Sequence, residues 1–97
     1  MNLQELQSLA GVYVLLSSDG EWMYKGSARD LRKRVTDHLD GKVARTRNRR
    51  PLDILHVEYT PDYTEARRRE NWLKSGQGRA WLKEQYARVA KWQTQRT

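Results

Sequence analysis

Cysteine is absent from this chain of 97 residues, which excludes a disulfide framework and any thiolate metal site. That composition suits a reducing cytoplasm, the expected location. Phenylalanine is missing too, so four tryptophans and five tyrosines must supply much of the large core volume. With two histidines there is no histidine-based metal cluster. No apolar run approaches the roughly 20 residues of a membrane span, and no signal-peptide pattern opens the sequence. P-loop, Ser-His-Asp and zinc-finger patterns are lacking as well, and so is a separate helix-turn-helix. Strong sequence specificity toward a nucleic acid would therefore have to come from a partner.

What the chain has is positive charge. Nineteen Lys and Arg against twelve Asp and Glu give +7 and a pI near 10.1. The balance favours a polyanionic partner, nucleic acid ahead of an anionic membrane. Hydrophobic residues are 37% of the chain, enough for one modest core. The expected organisation is a single domain over 1–97, with a core at about 11–83, a lead-in or helical turn at 1–10, and a helical extension and tail at 84–97. No internal repeat and no long linker divides it.

Val12 to Leu16 is rich in strand formers, Asp19-Gly20 is a turn signal, and Trp22 to Lys25 follows, which predicts a β-hairpin. A two-residue turn sets Leu15 opposite Tyr24 and Val14 opposite Lys25, with Tyr13 on the face of Tyr24 as its diagonal neighbour. Ser27, with Asp30 three residues on, reads as the N-cap of a helix whose Leu31, Val35 and Leu39 form a buried stripe. Gly41 fits the C′ position that ends it. Residues 42–50 read as an exposed basic loop. Ile54 to Tyr59 predicts a third strand with Leu55, Val57 and Tyr59 on one face. A second helix is expected from the N-cap candidate Thr64 to near Gly76, and a third from Gln77 or Gly78 to about Lys91. The fold class is α/β of the α+β type, a small three-stranded antiparallel sheet flanked by helices in the order β-β-α-β-α-α.

Several residues stand out against this frame. Glycines flank both tyrosines, Gly11 before Tyr13 and Gly26 after Tyr24, which marks close backbone approach or an unusual φ. Arg34 and His38 lie four apart at the border of the buried stripe, where the helix meets the sheet. Ala66, Glu70 and Leu73 fall at i, i+4, i+7, so a carboxylate occupies an inward position. It is either an ion-pair partner of Arg67 or Arg69 or an oxygen ligand for a divalent metal. Arg45, Arg47, Arg49 and Arg50 form either a solvated face or a phosphate clamp. Trp22, Trp72, Trp81 and Trp92 are expected in the core ahead of base stacking.

This set resembles the GIY-YIG nuclease family, in particular its small stand-alone bacterial single-domain type. Gly11-Val12-Tyr13 is similar to the first motif and Tyr24-Lys25-Gly26 to the second. Arg34 with His38 resembles the Arg-x-x-x-His helix, and Glu70 the later acidic helix. The resemblance covers roughly residues 11–83. It implies a metal-dependent endonuclease cutting DNA with low intrinsic sequence specificity. An RNA-directed nuclease, or a binding module of the same fold without catalysis, is the alternative. One divalent ion is implied, Mg²⁺ with Mn²⁺ as the substitute, held by Glu70. Tyr13 would act as general base or orient the attacking water, supported by a hydrogen bond from Tyr24. Arg34 would neutralise phosphoryl charge, and His38 would assist with position or protons. Nucleic acid would be held by Arg29, Arg32, Lys33, Arg45, Arg47, Arg49 and Arg50, on a monomer or weak dimer. Lys25 departs from the usual aliphatic residue of the second motif and should point to the face opposite the tyrosines. The family's further downstream asparagine has no match.

Overall fold

The computed structural model describes residues 1–87, so Trp92 and the tail lie outside the described residues; the third predicted helix, expected to run to about Lys91, begins at Gly76 and ends at Gln85, with Tyr86 as its cap. A 3₁₀ turn, Leu3–Glu5, opens the chain, closed by a capping box between Asn2 and Glu5. Strands β1 (Gly11–Ser17), β2 (Met23–Ala28) and β3 (Leu52–Tyr59) form one antiparallel sheet in the spatial order β2-β1-β3. Helix α1 (Leu31–Leu39) and a single turn α2 (Ala44–Arg47) lie between β2 and β3; α3 (Tyr63–Lys74) and α4 (Gly76–Gln85) follow. The predicted α+β class and antiparallel sheet hold. The order gains one element, because the segment read as a loop contains α2 with Thr46 fully buried.

β1 is the middle strand and is buried along its whole length, as its run of strand-forming apolar residues requires. One face of the sheet packs Tyr13 and Leu15 against Leu31 and Val35 of α1, with Leu6 and Ile54. The other packs Val12 and Val14 against Leu73 of α3 and Leu82 of α4. Trp22 packs on the first cluster, Trp72 and Trp81 on the second, in the core roles expected of them.

The hairpin has the predicted register: Leu15 pairs with Tyr24, Val14 with Lys25, and Tyr13 with Gly26. The turn differs. Ser17 N–H donates to the Trp22 carbonyl (2.8 Å), and Trp22 N–H donates to the Ser17 hydroxyl rather than its carbonyl. The loop therefore has four residues, with Gly20 at φ 76° inside a turn closed by its N–H on the Ser17 carbonyl. Residue sums across the hairpin are unchanged, so the register survives the longer turn.

Three expectations are corrected. Ser27 is not a cap; it remains in β2 opposite Val12, and Asp30 caps α1 through the Lys33 N–H. Asp62, not Thr64, caps α3 by accepting from Glu65 N–H. Leu55, Val57 and Tyr59 do not share one face: Leu55 packs on the α3–α4 side and Val57 on the α1 side. The cause is a bulge, since Val14 pairs with His56 but Leu15 pairs with Ile54, leaving Leu55 extra. The end of α1 is as predicted. Gly41, at φ 81°, donates to the His38 carbonyl and Lys42 N–H to the Asp37 carbonyl, a Schellman closure.

Candidate active site

β1 carries Tyr13 into the face covered by α1. Its hydroxyl lies 2.8 Å from His38 Nε2, and the other ring nitrogen, Nδ1, lies 2.8 Å from the Thr46 hydroxyl. The Tyr13 hydroxyl occupies the space that a Cβ at Gly26 would fill, so any other residue there would displace the phenol. This is the close approach foreshadowed by the flanking glycine. Gly11 is confined likewise, between the Glu58 carbonyl and Leu31. Tyr24 joins from β2, its ring 6.2 Å from that of Tyr13 and 5.0 Å from that of His38. Its contacts with this pair are between rings, and the Tyr13 hydroxyl bonds to His38.

Burial sets the resting protonation of this pair. Tyr13 is 1% exposed, and desolvation, followed by the neighbouring Tyr24, raises its phenol well above the ordinary range. Arg34 beside it works in the opposite direction, while the Glu70 carboxylate adds to the rise. His38 is fully buried, and desolvation together with Arg34 lowers its pKa from 6.5 to about 4. At neutral pH the pair is a phenol and a neutral imidazole. Thr46 completes it: one of the two imidazole nitrogens donates and the other accepts, so Thr46 and Tyr13 between them choose the tautomer.

This burial predicts a pH dependence of stability. The unfolded chain protonates His38 near 6.5 and the folded one only near 4, so the unfolded state binds more protons between those values. Stability should therefore fall as pH drops below 6.5 and stop falling, for this group, below about 4. Between pH 6.5 and 5 the loss should be about 1–2 kcal/mol. Urea unfolding of the native chain and of His38→Asn checks it; equal pH slopes in the two proteins would mean that His38 is not held neutral by the fold.

Glu70 approaches from the opposite face. Strand alternation puts Met23, Lys25 and Ser27 toward α3 and α4, and Tyr24, Gly26 and Ala28 toward α1. Ser27 Oγ donates to Glu70 Oε1 and Lys74 Nζ donates to Oε2, both at 2.5 Å. Ala66 and Leu73 of the same stripe are fully buried, and the Glu70 side chain keeps 17% exposure. The expected ion-pair partners Arg67 and Arg69 are not the ones used, because Arg69 reaches Glu58 at 2.8 Å. β2 is an edge strand, and the Glu70 carboxylate on one face contributes least among the causes that raise the Tyr13 phenol on the other. Ser27, Lys74 and Thr46 are site residues that the sequence pattern does not single out. Lys74 is readable as i+4 from Glu70; Thr46 carries no signal.

The basic residues divide by what they touch. Arg34, Arg29 and Lys33 line a cavity of about 400 Å³ with Ser27 and Tyr63, where Arg29 stacks 4.3 Å over the Tyr63 ring. Lys33 also pairs with Asp37 at 3.7 Å. Arg32 is turned the other way and donates to the Leu6 carbonyl, tying α1 to the lead-in. Arg47 donates to the Gly41 carbonyl and Arg50 to that of Arg47, so both help to shape the segment after α1. Arg49 lies 5.1 Å over the Trp22 ring. Arg45 lines a second cavity, of about 340 Å³, with Tyr24, Lys25, Lys74 and Arg79.

Comparison with known proteins shows the family. The model of the GIY-YIG catalytic domain matches residues 9–85. The chain is 41% identical over 64 residues to a UPF0213 protein of Halobacterium salinarum, covering 65% of this chain and 82% of that one. It is 40% identical over 63 residues to UPF0213 protein YazA of Bacillus subtilis, covering 64% and 63%. It is also 35% identical over 65 residues to UvrABC system protein C of Methylobacillus flagellatus, covering 66% of this chain and 11% of that protein. No solved structure matches. Among the described residues no helix is long and apolar enough to cross a membrane. The matched span runs from before the first tyrosine to the end of α4 and takes in Tyr24, Arg34, His38 and Glu70, so the chain belongs to the GIY-YIG catalytic domain family, a family of nucleases.

Proposed function

We propose that this protein is a metal-dependent endonuclease that hydrolyses phosphodiester bonds of DNA with little sequence preference of its own. The observation that supports the reading is the buried Tyr13–His38 hydrogen bond beside the edge strand β2, with Arg34 and Glu70 near enough to act on the phenol from opposite directions of charge. Phenol, imidazole, guanidinium and carboxylate are together suited to phosphoryl transfer to water.

The donor set fits a hard divalent cation. Among the described residues no group of three His, Cys, Asp or Glu gathers, so a closed protein cage is not on offer. Mg²⁺ does not need one, since it is commonly held by one or two carboxylates with waters and substrate phosphate oxygens filling the rest. Glu70 would hold it, with the Ser27 hydroxyl beside the carboxylate, and Lys74 would yield its place on Oε2. When bound, the ion supplies Lewis acidity and charge neutralisation at the phosphate.

Tyr13 takes a proton from the attacking water. A phenol held protonated by burial is a poor base; Arg34 already offsets part of the rise without cancelling it, and the further positive charge of a bound divalent ion would lower it more. His38 Nε2 fixes the direction of the phenol, with Nδ1 on Thr46; because burial keeps this imidazole a weak acceptor, the phenol's own proton must leave to solvent before Tyr13 takes one from water. Arg34 faces the phosphoryl oxygens whose charge grows in the transition state.

Labelled single-stranded, duplex and flapped DNA, and RNA, incubated with Mg²⁺ or with EDTA, test the reading. Internal cuts in DNA with Mg²⁺ and none with EDTA are expected. Cuts in RNA alone would move the substrate class, and binding without cutting under Mg²⁺ or Mn²⁺ would make the chain a binding module.

Neutralising Arg45, Arg47, Arg49 and Arg50 together should weaken binding. The slope of log affinity against log salt should fall by about one unit for each phosphate that the variant no longer neutralises. Arg45 should account for more of it than Arg47 or Arg50, whose guanidiniums already serve backbone carbonyls. A salt slope unchanged in the quadruple variant would move the binding surface to Arg29 and Lys33.

A further inference from the structure

Two hollows lie along β2, one toward each end, with Gly26 and the Tyr13 hydroxyl between them. The first, at Ser27 and Ala28, holds Arg34 and belongs to the site just described. The second, at Met23 to Lys25, is walled by four cations, Lys25, Arg45, Lys74 and Arg79, and among the described residues no carboxylate lines it. They converge from β2, α2, α3 and α4, four separate elements. Arg79 is held in direction by donating to the Lys74 carbonyl at 3.1 Å.

Such a gathering is unfavourable for the fold alone. Lys25 is half-buried, and desolvation, then repulsion by Arg79 and Lys74, lowers its pKa. An aliphatic residue at this place on the strand would pack without that cost. The carboxylate that reaches the cluster, Glu70, is already bonded to Lys74 and to the Ser27 hydroxyl. A ligand with concentrated negative charge would satisfy all four cations at once.

We propose that Lys25, Lys74, Arg79 and Arg45 form a subsite for the backbone phosphate next to the one that is cut, so that the nucleic-acid strand runs along the outer edge of β2. This rests on the nuclease reading above. Tyr24 lines the same hollow and also packs on His38, which makes the subsite continuous with the reacting centre. The arrangement gives Lys25 a function: it places an ammonium in the substrate's path one residue from Tyr24. It also links the two faces of the strand. If Glu70 held a metal ion, Lys74 would be free to turn from the carboxylate toward the subsite.

The test neutralises the ligand and the protein separately. On the DNA that the wild type cuts best, single methylphosphonates are placed at each phosphate around the mapped cut, and kcat/KM is measured for wild type, Lys25→Gln and Arg79→Gln. Arg79 is exposed, so its variant keeps the fold even where Lys25→Gln disturbs packing. One flanking methylphosphonate should cost the wild type about tenfold, the effect of one charge-assisted hydrogen bond. The same substitution should cost Arg79→Gln less than about twofold, with penalties at other positions unchanged. Identical penalty profiles in wild type and both variants would overturn the subsite while leaving the nuclease standing. If the wild type neither cuts nor binds any nucleic acid, the nuclease reading fails separately. A pyrophosphate titration followed by NMR then decides: shifts centred on Lys25 and Arg79 support the anion site, and their absence overturns it.

Discussion

Tyr13→Phe is expected to lower the single-turnover rate of cleavage by about 10²–10⁴-fold, the usual worth of a positioned proton acceptor, while substrate affinity changes little. The substitution removes one oxygen and leaves the ring that Tyr24 and His38 pack against. The protein should fold, because the loss leaves His38 Nε2 without its partner but keeps Thr46 on Nδ1. Arg34→Ala should produce a loss of similar size, again in rate more than in binding, since the guanidinium both counters charge at the phosphate and draws down the phenol's pKa. Rapid-quench cleavage with saturating protein, alongside anisotropy binding in EDTA, separates the two quantities. Full activity in Tyr13→Phe would assign water activation to another group.

Glu70→Gln should lower the rate of Mg²⁺-dependent cutting by orders of magnitude, to a residual rate, and spare both fold and nucleic-acid affinity. The glutamine keeps an oxygen for Ser27 Oγ–H and the same shape on the helix, but not the charge that a divalent ion requires. Loss of the Lys74 ion pair should leave the fold intact, because Lys74 is half-exposed and the amide keeps its bond from Ser27. Affinity measured in EDTA should hold or rise slightly, as Lys74 loses its carboxylate and turns to phosphate. Thermal unfolding and anisotropy check those parts. A variant that unfolds would mark Glu70 as a structural residue.

Much of this arrangement is legible in the sequence. The strand register follows from alternating apolar residues on both sides of a turn signal, and it tolerates a turn of the wrong length because pairing depends on the residue sum. Helix α1 reads through Leu31, Val35 and the Gly41 closure, and the pairing of Arg34 with His38 follows from helical spacing. The failures are local competitions. Ser27 and Thr64 are good caps by type, but an aspartate stands near each, and Ser27 is already committed to the ladder with Val12. The face of Leu55 depends on a bulge that only the partner strand reveals. Thr46 lies in an arginine-rich run without periodicity, and its role depends on α2 folding back onto α1, a tertiary fact. Lys25 is legible as an anomaly; its company, Lys74 and Arg79, is not, because they come from helices more than forty residues later.

The central claim is that Tyr13 and Glu70, from opposite faces of the sheet, act on the same phosphate across the edge of β2. A double-mutant cycle on the single-turnover rate measures that directly, using wild type, Tyr13→Phe, Glu70→Gln and the double variant on one DNA substrate in Mg²⁺. Groups that serve one transition state are strongly non-additive. The double variant should therefore be no slower than the slower single variant; losses that multiply would show that the two residues act independently and would contradict the account.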